Sequence, residues 1–274
     1  MDIEQYSHTS FVLDVMLKLF LVHHMARNFE FFALAKQFSK NGVLSWEIIR
    51  LRNQNRITRI IQRPALIYSN VIFIIIMLIS TASALLLITG ITSVSAWMLF
   101  IPVLICSFLL HFRNNLFCDG SDTMSNLLCI CLMISLCNIH SQVIITATII
   151  FIAIQTMFSY FFAGISKLKS SAWMNGTALY GVLNTEVFGN ASAADVVKKL
   201  NPHLNKLANK MVAIWQCTFP LSLLLPKPLF FIFIASGLLF HFVNIFAMRI
   251  PRFFLIYLSV YPSLIFVKLK YLDY

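Results

Sequence analysis

The chain has 274 residues, of which 59% are hydrophobic and 11% charged, with a formal net charge of +11 and a mean hydropathy of +0.82. A soluble domain usually carries about 25% charged residues. The deficit excludes a soluble globular fold and marks an integral, all-α membrane protein built from spanning helices.

The N-terminus does not read as a cleaved signal peptide. Asp2 and Glu4 stand where a basic start is expected, and no small-residue cleavage pattern follows the first apolar stretch. The first span, from Phe11 to about Ala35, is therefore expected to anchor the chain itself. It carries Asp14, Lys18, His23, His24, Arg27 and Glu30. At 100° per residue, Asp14 and Lys18 share one face, and His23, Arg27 and Glu30 share nearly the opposite one. A helix this polar cannot face lipid all round, so a span with a polar inner face is expected. His23 and His24 are adjacent, point to different sides and make a poor metal pair.

A basic loop follows. Lys36, Lys40, Arg50, Arg52, Arg56, Arg59 and Arg63 are opposed by Glu47. In a soluble protein such a cluster would suggest nucleic acid. Between membrane spans it reads as a cytoplasmic loop touching anionic lipid, so the lipid bilayer is the expected partner and nucleic acid is not.

Ala65 to Leu110 carries no formal charge, which is enough for two spans of about 20 residues each. They divide near the turn at Gly90. The polar loop HFRNNLFCDGSD, His111 to Asp122, precedes a second charge-free pair that runs from Thr123 to Ser166 and splits near Asn138, His140 and Gln142. The segment from Lys169 to Lys210 is polar and basic. It is expected to hold one or two interfacial amphipathic helices, the first near Ser171 to Leu183 and the second from about Ala193 to a break at Asn201-Pro202. Met211 to Leu225 reads as a short sixth span, Leu229 to Met248 as the seventh and Phe253 to Val267 as the eighth.

Eight spans in one domain, residues 1–274, put both basic segments, Arg113, Arg249 and Arg252 on one side. The positive-inside rule makes that side cytoplasmic and places both termini outside. Five of the six cysteines lie in or near apolar runs. Cys129 and Cys131 lack zinc spacing, and the cysteines are expected as buried small hydrophobes, with no metal ligands among them.

Three groups of residues stand out chemically. Lys167 ends the apolar run of the fifth span, near the depth where water gives way to lipid. An ammonium there is costly. It either snorkels to the head groups or serves as a neutral amine, a usable base. Trp173, Gly176 and Thr177 follow, residue types that suit the interface. Arg113, Asn114, Asp119 and Asp122 form a cluster able to hold a substrate or a cation, or else a solvated turn. His241 and Asn244 share a face of the seventh span, where histidine can carry a proton or bond to another helix. The candidates for catalysis are Lys167 and His241. Those for substrate binding are Arg113, Asn114, Asp119, Asp122, Trp173 and Asn244. No Walker loop, nucleophile elbow or zinc motif is present.

Four segments in order resemble the HTTM domain family, which joins vitamin K-dependent gamma-carboxylases to bacterial membrane proteins of the sporulation-delaying protein B type. They are SKNGVLSW (Ser39 to Trp46), HFRNNLFCDGSD, AGISKL with SAWMNGTAL (Ala163 to Leu179), and GLLFHFVN (Gly237 to Asn244). In the carboxylases, a lysine of the AGxxKL segment deprotonates vitamin K hydroquinone. The resemblance implies that role for Lys167, a quinol as the cofactor and a site histidine at His241. No counterpart of the large extramembrane domain of the carboxylases is expected within these 274 residues, a length that favours the bacterial branch. That branch implies a plasma-membrane accessory factor that matures or exports a secreted, toxin-like peptide, with a peptide precursor and other maturation proteins as partners. The alternatives are a quinol-dependent carboxylase or oxidoreductase using Lys167 as base, and a structural or immunity-type membrane protein.

Overall fold

The computed structural model describes residues 3–38, 42, 45, 48, 70–91, 93–113, 119–185 and 189–272. The basic residues from Lys40 to Arg63, most of SKNGVLSW, and Asn114 lie outside the described residues. The described residues form helices with no strand. They fall into two compact units, Met1–Ile145 and Thr146–Tyr274.

The first unit holds α1 (Ile3–Ala33), followed by a 3-10 turn (Ala35–Phe38), then α2 (Asn70–Thr89), α3 (Ala96–Arg113) and α4 (Gly120–Cys137). Helix α1 packs on α2 and α4, and α3 packs on α2 and α4, so the four close on themselves. Helix α2 shows why they do so in lipid. Its buried face runs Phe73, Met77, Ser80, Ala84, while Val71, Ile75, Leu78 and Ile79 are exposed. The outer face is aliphatic and the inner face carries a hydroxyl, the reverse of a soluble helix. Lipid tails give apolar side chains no reason to leave the surface, so packing and interhelical hydrogen bonds hold such a unit together.

The expected polar inner face of the first span is present. His23, His24, Arg27 and Asn28 are buried, and Asp14 and Lys18 form an exposed ion pair at 2.7 Å. Helix α4 starts at a capping box. The Asp119 carboxylate accepts from Ser121 N (2.8 Å) and Asp122 N (3.2 Å), and the Asp122 carboxylate accepts from Asp119 N (3.3 Å). Anionic side chains suit the positive end of a helix and satisfy amides that have no partner within it.

The second unit contains nearly all of α5 (Gln142–Lys169), then α6 (Ser171–Asn175), α7 (Ala178–Leu183), α8 (Ala191–Lys199), α9 (Pro202–Thr218), a 3-10 segment (Phe219–Leu224), α10 (Lys227–Ala247) and α11 (Pro251–Tyr271). Helix α6 stops at Gly176, whose φ of 85° suits a residue without a Cβ. Asn190 caps α8 by accepting from Ser192 N and Ala193 N, and its amide donates to Phe246 O (2.8 Å) at the end of α10.

Among the described residues seven helices are long and apolar enough to cross a membrane: α1 from His8, α2 from Val71, α3, α4, α5, α10 and α11. The chain therefore has the build of a multi-pass membrane protein. The short sixth span expected over Met211 to Leu225 is not among them. Asn201 caps and Pro202 opens a helix that takes in Lys206 and Lys210, and Pro220, which has no amide hydrogen to donate, falls just beyond its end at Thr218. The remainder is 3-10. Its backbone is held by protein, as irregular backbone near lipid requires: the buried Lys268 donates to Leu223 O at 3.1 Å.

Candidate functional site

In the second unit a polar cluster is assembled around Tyr160. Thr156, Tyr160, Gly164 and Lys167 share one face of α5, at spacings of four, four and three. At Gly164 this face closes onto α9. A Cβ there would collide with Cys217 N and lie 2.7 Å from Cys217 Cα and 2.9 Å from Ala213 O. The close approach brings the end of α9 over Tyr160, one turn away. Phe219 stacks on its ring with centroids 3.9 Å apart, and Trp215 meets the ring edge-on at 5.7 Å. Tyr257 of α11 closes another side at 5.3 Å.

The Tyr160 hydroxyl, enclosed by these rings, bonds to His241 Nε2 of α10 at 2.8 Å. It also lies within hydrogen-bonding distance of the Tyr261 hydroxyl of α11. Gly237, one turn before His241, makes the room, since a Cβ there would strike the Tyr261 hydroxyl and stand 3.1 Å from that of Tyr160. His241 is buried, with Tyr257 stacked on its ring at 3.9 Å. Each phenol has one proton to give, so the chain runs in one of two directions. Either Tyr261 donates to Tyr160 and Tyr160 to Nε2, leaving the histidine proton on Nδ1, or both bonds are reversed. Exchanging the two turns both hydroxyls and moves the histidine proton between Nδ1 and Nε2, so it engages three side chains from three helices. Among the described residues His241 Nδ1 is buried and has no hydrogen-bond partner.

The other candidates of this unit lie elsewhere on it. The Lys167 ammonium reaches back to Ala163 O at 3.5 Å and lies 5.1 Å from the centre of the Trp173 ring. That brings two predicted residues together as a cation–π pair at the end of α5. Neither contact joins Lys167 to His241. Asn244 is half-buried on α10, where its carbonyl accepts from Met248 N at the helix end.

The first unit has its own buried polar cluster. Arg27 of α1 donates to Ser107 Oγ of α3 (2.8 Å) and to Ser125 Oγ of α4 (3.4 Å). His23 Nε2 also meets Ser125 Oγ, and His24 Nε2 meets Ser80 Oγ of α2, each at 3.2 Å. Asn28 donates to Ser80 Oγ and Thr81 Oγ1 at 3.0 and 2.9 Å. All four helices are thus laced by hydroxyls facing one face of α1. Arg113 is buried, its guanidinium 4.6 Å from the centre of the Phe73 ring. Asp119 and Asp122 make the capping box of α4, while Asn114 is not among the described residues. Arg113 and the two aspartates therefore belong to one unit, and Lys167, Trp173, His241 and Asn244 to the other. Among the described residues no group of three or more His, Cys, Asp or Glu side chains is placed to hold a metal ion.

The sequence singles out His241 but not Tyr160 or Tyr261, its partners in this cluster. The usable signal was a tyrosine within an otherwise apolar span, because a buried phenol needs a partner for its hydroxyl. Ser107 and Ser125 were missed for the same reason, as small hydroxyls are common in spans. In comparisons with known proteins, no family model, no curated protein and no solved structure matches the chain.

Proposed function

We propose that the chain is a multi-pass protein of the bacterial plasma membrane, of the HTTM type, that acts as an accessory factor in the maturation or export of a secreted peptide. The Tyr160–His241–Tyr261 cluster is its working centre. One observation supports this reading. One segment that carries the resemblance meets a residue just ahead of another: Gly237 and His241 of GLLFHFVN receive the hydroxyl of Tyr160, one turn before Gly164 of AGISKL. A buried Tyr–His chain is costly to build in lipid, and polar side chains in such places are candidates for a functional site.

The accessory role stands ahead of the carboxylase alternative because the Lys167 amine rests on Trp173 and Ala163 O. Deleting the chain from its host should abolish at least one mature secreted peptide while the precursor transcript persists, as read by mass spectrometry of the medium. Re-expression should restore it. An unchanged set of secreted peptides would overturn the proposal, and a mature peptide carrying carboxylated glutamate would favour the enzyme.

A further inference from the structure

Helix α9 bears two unlike faces. Asn209, Ala213 and Gln216 are buried against the second unit. Leu204, Leu207, Met211 and Ile214, spaced by three, four and three, are each more than half exposed. The stripe continues through the exposed Leu221 and Leu224 of the 3-10 segment, which packs on the spanning helix α10. One end of the stripe therefore runs toward bilayer depth.

The other end is ringed by ammonium groups. Lys206 and Lys210 lie along one edge of the stripe on α9. Lys198 and Lys199 end α8, and Asn205 donates to Val197 O at 2.8 Å, fastening that end beside the first turn of α9. Gly176 of α6 abuts the Lys206 backbone, where a Cβ would lie 2.6 Å from Lys206 Cα. Helix α6 also carries Trp173, on which Lys167 rests. From Lys167 to Lys210 the sequence holds six lysines against Glu186 and Asp195. Among the described residues no carboxylate pairs with Lys198, Lys199, Lys206 or Lys210.

We infer that the junction of α6, α8 and α9 is a binding site for an anionic phospholipid of the surrounding bilayer, its phosphodiester among the lysines and an acyl chain along Leu207, Met211 and Ile214. The inference does not rest on the peptide-maturation reading. Charge selects the headgroup, and the stripe selects a lipid over a free anion. An ammonium on a long aliphatic stem suits this boundary, with its carbons against the acyl chains and its charge at the phosphate.

Purified full-length protein in a neutral detergent would be titrated with dioleoylphosphatidylglycerol, dioleoylphosphatidylcholine or inorganic phosphate, with bound lipid counted by native mass spectrometry. The phosphatidylglycerol should be retained over the phosphatidylcholine. Each lysine removed in the series Lys206→Gln, then Lys210→Gln, then Lys198→Gln with Lys199→Gln, should weaken it roughly fivefold. Lys18→Gln, in the first unit, should bind as wild type. Because Lys206 is exposed, a single Lys206→Gln change keeps the test valid should the full set misfold. Equal retention of the two lipids, undiminished retention in the variants, or inorganic phosphate displacing the lipid at matched concentration would overturn the inference. So would a dimer whose formation excludes the lipid.

Discussion

Gly164→Ala is expected to lower the melting temperature of the detergent-solubilised protein, whereas Gly181→Ala in the same unit is not. The atoms that the new Cβ would meet are backbone: Cys217 N and Cα, and Ala213 O. No rotamer change relieves that clash, so α5 and α9 must part. Overpacking typically costs about 1–3 kcal/mol where side chains can adjust, and a backbone contact belongs at the top of that range. Separation would also pull Phe219 off the Tyr160 ring, so the tryptophan fluorescence of Trp215, packed edge-on to both rings, should shift. Gly181→Ala is the matched control. Gly181 lies in a helix with nothing within 4 Å of its would-be Cβ, and alanine should be neutral or gain roughly 0.5–1 kcal/mol through helix propensity. If the two variants melt alike, the close approach at Gly164 is not there.

The second large effect is expected at Arg27. Leucine in its place removes the donor to Ser107 Oγ and Ser125 Oγ and strips one side of the His24 ring. A buried polar group left without its partner costs about 1–3 kcal/mol. The serines recover part of this by turning back to carbonyls of their own helices, so a net loss of about 2–4 kcal/mol is expected. Removing both ends of such an interaction is cheaper than removing one. The triple variant Arg27→Leu, Ser107→Ala, Ser125→Ala should therefore regain at least half of the lost stability, measured by chemical denaturation in detergent. A neutral Arg27→Leu, or a triple variant less stable than the single one, would contradict the lacing of α1 to α3 and α4.

Much of this was legible in the chain, for reasons that differ by element. Charge-free runs located α2, α3, α4, α5, α10 and α11, because in lipid an uncharged stretch of sufficient length has few other fates. The polar face of α1 was legible from angular spacing, since four-residue steps put Asp14 beside Lys18 and, on another face, His23 beside Arg27. The sixth span failed because hydropathy alone was read over Met211 to Leu225. The cap at Asn201 and the proline at 202 start the helix earlier, and Pro220 follows close on its end. Asp119 and Asp122 suited a ligand as well as a turn, and the turn was the plainer reading. Three-residue spacing at a helix start gave them capping work, which was the more local explanation. The Tyr160 cluster was beyond reach for another reason. Its partners lie 81 and 101 residues along the chain, and no periodicity within one helix reports which residue of another will face it. His241 was visible as an oddity in an apolar span, whereas the tyrosine that gives it a partner was not.

The central claim is that the chain from Tyr261 through Tyr160 to His241 is the working part of this membrane protein rather than only a brace between helices. Tyr160→Phe keeps the ring that Phe219 and Trp215 pack against and removes the hydroxyl alone. In host cells expressing this variant at wild-type membrane abundance and with a melting temperature close to wild type, the mature secreted peptide should fall at least tenfold, a barrier change of about 1.4 kcal/mol. His241→Gln should fall with it. Full peptide output from stable, correctly abundant Tyr160→Phe would contradict the claim and leave the three side chains as packing.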